Sequence, residues 1–164
     1  MTLSARLLAK RLLPLALAAL AATSCTITAT GPGGEIAKVK YYNLQPTQVL
    51  KTPDPTILFE RQHYLYGAFT AAEQIKRTGN YFTVMWRAQD RTQPVTVRFE
   101  YRQEKTALDV KKQEQEVTEI RRNNVTEFRV VGKDFEDGGR VTAWRVTLLR
   151  GKEELVSQNS YLWK

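Results

Sequence analysis

From residue 36 onward the chain is written largely in a two-residue rhythm of apolar and polar side chains. The clearest stretch is Pro94–Gln103, where Val95, Val97, Phe99 and Tyr101 fall on one side and Thr96, Arg98, Glu100 and Arg102 on the other. Such alternation turns one face of a strand towards a core and the other towards water. Tyr81–Ala88 repeats it with Phe82, Val84 and Trp86, and the polar run 89–93 joins the two segments at hairpin length. Fainter strands are read at Ala37–Leu44, Ile57–Phe69, Leu108–Val117 and Val125–Val131. Leu108–Val117 is mostly charged or amide-bearing and a helix is its alternative reading. The Asn123-Asn124 turn that follows favours an edge strand whose charges discourage pairing with a foreign sheet.

A second hairpin closes the chain. Val141–Leu149 places Trp144, Val146 and Leu148 on one side, Gly151 tolerates the positive φ of a turn, and Glu154–Trp163 returns. With Gly151-Lys152 as the central turn residues, Leu148 stands opposite Leu155, Val146 opposite Ser157 and Thr142 opposite Tyr161. A three-residue turn would instead turn the return strand over. One short helix is predicted over Ala71–Arg77, with Thr70 as N-cap, Glu73 completing a capping box and Gly79 just past the end. The acidic run 133–139 (KDFEDGG) reads as a polar hairpin loop.

About seven or eight strands, short polar turns and a core-facing Trp86 predict an all-β fold, an antiparallel immunoglobulin-like or fibronectin-III-like sandwich with one short helix. A single domain over 36–164 is expected from its length.

The start of the chain is different. Residues 1–11 carry Arg6, Lys10 and Arg11 and no acid, residues 12–22 are apolar, and Ala22, Thr23 and Ser24 lead to Cys25, the one cysteine of the chain. A basic start, a short apolar run and small residues form a secretory leader, and the run is shorter than the roughly 20 residues that span a bilayer. In Ala22-Thr23-Ser24-Cys25 the chain resembles the bacterial lipoprotein precursors. That resemblance implies cleavage after residue 24, lipid on Cys25, and attachment in the cell envelope facing the periplasm. Thr26, where some lipoproteins carry a retention aspartate, leans towards the outer membrane. The alternatives are a leader cleaved without lipidation, leaving an idle thiol, and a signal anchor that is retained. Residues 25–35, with Gly31, Pro32, Gly33 and Gly34, read as a flexible tether. The folded part resembles the small sandwich lipoproteins of bacterial envelopes.

Charge changes the picture little. The whole chain has 25 basic and 17 acidic side chains; removal of residues 1–24 leaves 22 basic against 17 acidic, a formal charge of +5 with both signs interleaved. No basic block is dense enough for nucleic acid, and export argues against it.

The candidate chemistry is thin. His63 is the only histidine, and it lacks cysteine or carboxylate companions at ligand spacing and a serine in a nucleophile-elbow setting. The acid pairs, such as Glu153 with Glu154, sit in turns where solvation is their ordinary fate. Neither a catalytic set nor a metal or organic cofactor is expected. The candidate binding patch is Tyr64 and Tyr66 around His63, with Arg87, Arg98 and Arg102 as basic companions. Two functions follow as expectations: a lipid-anchored, non-catalytic sandwich that binds an envelope protein, or a module that binds glycan or peptidoglycan through an aromatic and basic sheet face. A flat row of exposed rings would favour the second.

Overall fold

The computed structural model describes residues 28–48 and 51–163; the leader, Cys25 and the first part of the tether lie outside the described residues. Eight strands run in order β1 (Ala29–Thr30), β2 (Gly34–Leu44), β3 (Gly79–Ala88), β4 (Val95–Gln103), β5 (Lys111–Val117), β6 (Asn124–Val131), β7 (Val141–Arg150) and β8 (Glu153–Asn159). Helices α1 (Pro55–Leu65) and α2 (Ala71–Lys76) lie between β2 and β3, and α3 (Lys133–Gly138) between β6 and β7.

The strands form two four-stranded antiparallel sheets, β1-β2-β3-β6 and β5-β4-β7-β8. The chain changes sheet after β3, β5 and β6, so β2, β3 and β6 take the places of strands A, B and E of an immunoglobulin-like sandwich. Strands β4, β5, β7 and β8 take those of C, C′, F and G, with β1 a short addition beside A. The period-two pattern fixes the faces: Val95, Val97, Phe99 and Tyr101 of β4 are buried, and so are Phe82, Val84 and Trp86 of β3. Phe99 packs between the sheets, its ring centroid 4.6 Å from Phe82 and 5.1 Å from Phe128. Trp86 is fully buried, and its Nε1 donates to Thr126 Oγ1 at 2.9 Å, so the one polar atom of the indole is satisfied.

Several elements differ from the sequence reading, each for a local reason. The strand expected at Ile57–Phe69 is helix α1. Asp54 caps it, accepting from Thr56 N at 2.8 Å, and Pro55 occupies the first turn, where its missing N–H costs nothing. The run 133–139 is helix α3, which carries the chain across the end of the sandwich from one sheet to the other. Of the edge strand expected over Leu108–Val117, Leu108 belongs to the preceding turns and the strand begins at Lys111. The helix at 71–77 forms as read, with both halves of its Thr70/Glu73 capping box in place.

The two-residue turn of the last hairpin holds for Arg150↔Glu153 and Leu149↔Glu154, and then a bulge at Leu155 shifts the register to Leu148↔Val156 and Thr147↔Ser157. Leu155 and Val156 are both buried as a result. The strand ends at Asn159, so Tyr161 does not reach Thr142 and is 87 % exposed.

The bulge also explains why the tether is shorter than expected. The carbonyl of Leu155 accepts from Gly33 N at 3.3 Å, and a Cβ on Gly31 would lie 2.1 Å from that same oxygen. Residues 29–35 therefore belong to the sandwich. Their glycines permit close approach to β8 where the composition had suggested flexibility.

The edges of the first sheet are treated unequally. Along β6, Gln113 Nε2 of β5 donates to the carbonyl of Arg129 at 3.0 Å and Gln115 Nε2 to that of Glu127 at 2.6 Å. Amide side chains thus occupy backbone acceptors that a further strand would need. Along β2, only Glu35 and Ile36 are paired by β1, and among the described residues Lys38–Leu44 have β3 on one side alone.

Candidate interaction surface

The two ends of the sandwich can be told apart by register. Gly34 pairs with Ala88 at the end nearest Cys25 in sequence, and Leu44 pairs with Gly79 at the far end. The far end is tied across the two sheets by Asn80, which is wholly buried. Its Oδ1 accepts from Val141 N at 2.7 Å, while its Nδ2 donates to Asn43 Oδ1 at 2.9 Å and Tyr41 Oη at 3.0 Å. A second clamp holds α3 there: Tyr101 Oη donates to Asp134 Oδ2 at 2.6 Å, Lys111 forms an ion pair with Asp134, and Gln103 Nε2 donates to the carbonyls of Asp134 and Gly139 at 2.9 Å. Burial works to raise the Asp134 pKa, but the hydrogen bonds from Lys111 and Tyr101 outweigh it and hold the carboxyl below its ordinary value. Burial, with the bond to Asp134, pushes the Tyr101 phenol well above the ordinary tyrosine value. The acid is spent on structure.

Helices α1 and α2 sit at this same end, over the outer face of the first sheet. Tyr64 is the wedge between α1 and the sheet, its ring 4.2 Å from Tyr81 and 5.1 Å from Tyr42. Burial raises the phenol pKa of all three above the usual value. Arg77 closes the helical pair, its Nη1 donating to the carbonyls of Tyr64 at 2.9 Å and Tyr66 at 2.6 Å.

Of the residues singled out from the sequence, His63, Tyr64 and Tyr66 stand together on and just after α1. His63 is exposed and meets only the edge of Tyr64, Tyr64 is half-buried, and Tyr66 is 85 % exposed. The arginines do not join them. Arg87 lies towards the opposite end of β3, donating to Asn123 Oδ1 at 2.7 Å and paired with Glu35 at 3.4 Å. Arg98 and Arg102 are on the outer face of the other sheet: Arg98 is paired with Glu114 at 2.7 Å, and the Arg102 guanidinium stacks 4.8 Å from the Trp163 ring. Arg145 covers that ring as well, at 5.3 Å, which pins the C-terminal residues to the sheet. Among the described residues, then, no flat row of exposed rings flanked by arginines forms. Nor do three or more His, Asp or Glu side chains gather where they could hold a metal ion.

What the sequence reading missed is the concentration of exposed apolar side chains at the far end. Tyr66, Phe69 (91 % exposed) and Ile75 project from the α1–α2 segment, Leu108 from the β4–β5 connection, and Tyr161 and Leu162 from the residues after β8, while Phe59 stands over the middle of the first sheet beside Lys40 and Thr83. Of the large apolar side chains most exposed, Val125 alone belongs to the near end. At the far end a cleft of about 550 Å³ is bordered by Asn43, Ile75, Phe135, Glu136 and Arg140. Beside it is a slot of about 310 Å³ bordered by Tyr41, Arg140, Thr142, Trp144 and Leu162. These residues come from unconnected turns and helix ends, and only the fold brings them together. No helix among the described residues is long and apolar enough to cross a membrane. Compared with known proteins, the chain has no significant match to a family model, a curated protein or a solved structure.

Proposed function

We propose that this protein is a non-catalytic lipoprotein of the cell envelope, held at a membrane through lipid on Cys25, with the outer membrane favoured. Its sandwich faces the periplasm and binds another protein through the end that carries α1 and α2. One observation carries this reading: the large exposed apolar side chains gather at the end of the sandwich where Leu44 pairs with Gly79. Scattered apolar residues are ordinary on any surface, whereas a gathered set marks a contact area. A lipid anchor together with a separate contact area suits a protein that holds a partner near a membrane. The glycan reading draws no comparable support, since Trp86 is buried and Trp144 and Trp163 are half-buried.

The test is made in intact cells. Cys25→Ala should move the protein from the membrane fraction to the soluble one, and cross-linking followed by mass spectrometry should join a recurrent protein to residues of α1, α2 or the β4–β5 connection. Membrane attachment that survives the substitution refutes the lipid anchor. Cross-links that avoid the far end refute the contact area.

A further inference from the structure

The open edge of β2 offers a way in which such a partner would be held. An edge strand points the N–H and C=O of every second residue away from its sheet, ready for another strand. β6 has its outward acceptors filled by Gln113 and Gln115, and β8 is tied at Leu155 by Gly33. β5 is a short edge with charges of both signs. β2 has a bulge after Ile36 and exposed Lys38 and Lys40, but among the described residues the backbone groups of Lys38–Leu44 are neither filled by side-chain amides nor tied by another segment. A protected edge commonly carries an inward-pointing charge, but the inward positions here are Val39 and Tyr41, opposite the core residues Val84 and Phe82. Val39 is only partly buried and Tyr41 is 44 % exposed.

The two sides of this edge have different chemistry. On the outer side stand Lys38 and Lys40, two residues apart, opposite Met85 and Thr83. On the inner side, Tyr41 borders the apolar slot with Trp144 and Leu162, and Arg140 closes its end. Among the described residues, Lys38, Lys40 and Arg140 form no salt bridge, whereas Arg98 and Arg145 on the second sheet are matched by Glu114 and Glu100. Lys40 borders a small hollow with Glu60 and Glu127, while Lys38 stands exposed without an ion pair among the described residues, and positive charge along this edge favours negative charge on what covers it.

We infer that Lys38–Leu44 of β2 receives an extended segment of a partner protein as an added strand, with acidic side chains at alternate positions facing Lys38 and Lys40 and apolar ones between them facing Tyr41 and the slot. Main-chain hydrogen bonds hold the segment, and the period of two selects it. This rests on the protein-binding reading above and narrows it to one mode.

The probe is a capped octapeptide of alternating Glu and Val, titrated against the full chain in detergent and followed by fluorescence anisotropy. A peptide of the same composition in scrambled order should bind at least about tenfold more weakly, a difference near 1.4 kcal/mol. N-methylation of one alternate set of peptide nitrogens should abolish binding, and methylation of the other set should be tolerated. Lys38→Glu with Lys40→Glu should reverse the preference towards a Lys–Val octapeptide. Both lysines are exposed, and an unchanged circular dichroism spectrum confirms the fold of that variant. No binding, equal binding of the scrambled peptide, indifference to methylation of both sets, or no effect of charge reversal overturns strand addition at β2. If that happens while cellular cross-links still map to the far end, the protein-binding reading stands and only this mode of it fails.

Discussion

At the end of the sandwich where Gly34 pairs with Ala88, the connections are short and polar. Asp90 caps its own turn, accepting from Thr92 N at 2.9 Å, and is paired with Arg150 at 3.5 Å, while Gly151 makes the last turn with a φ of 59°. The far end is longer, partly helical and apolar on its outside, yet internally it is the more elaborately tied, through Asn80, Gln103 and Asp134. The difference separates two uses of hydrogen bonding. Short turns need only local caps. An end that presents apolar surface to a partner needs rigid backing, because loose apolar loops would lose contact area to conformational entropy.

The largest effect that can be asked of the molecule should erase the contrast between the ends. Trp86 is buried in the core the two sheets share, so Trp86→Ala should cost about 3–5 kcal/mol and unfold both ends together. Urea denaturation gives the loss, and amide exchange shows whether protection falls uniformly. A loss below about 1 kcal/mol would place the tryptophan outside the energetic core.

Asn80→Ala should instead weaken one end. The substitution leaves the Val141 N–H buried without an acceptor and frees Asn43 and Tyr41, at a cost of about 2–3 kcal/mol. Exchange should quicken first at Val141, Asn43 and α3, with Trp86 and Val95 still protected, because local openings follow the lost tie. Uniform loss of protection would mean that the two ends are a single cooperative unit and that the clamp has no local role.

Residues whose surroundings are set by one strand were legible in the sequence, and those set by several were not. Val97, Phe99, Phe82 and Trp86 declare their faces by alternation, and the Thr70/Glu73 cap by its spacing. Asp54-Pro55 is an equally explicit helix start, and the strand reading of Ile57–Phe69 gives it no weight. The bulge at Leu155 could not be read because the segment packed against it, at Gly33, lies more than a hundred residues away. The arginines of the candidate patch failed to meet its aromatic residues for a similar reason. Arg98 and Arg102 have the same alternation in sequence whichever sheet they face, and only the crossing after β3 decides it. The gathered apolar side chains of the far end had no periodic signal at all.

The smallest expected effect on stability sharpens the comparison most. Tyr66 and Phe69 are almost fully exposed, and the backbone bonds of that turn, including Phe69 N to Glu73 Oε2 at 2.9 Å, do not use their side chains. Tyr66→Ser with Phe69→Ser should therefore change stability by no more than about 0.5 kcal/mol. If the far end is the contact area, the same double variant should lose most of the partner cross-linking seen in intact cells, since exposed aromatics carry a large share of interface energy. A matched change at the near end, Val125→Ser, should leave cross-linking intact. Equal cross-linking in all three proteins would show that the apolar side chains of the far end do not hold the partner, whatever their number. Loss in the double variant alone, with stability unchanged, would separate what this end does for the fold from what it does for binding.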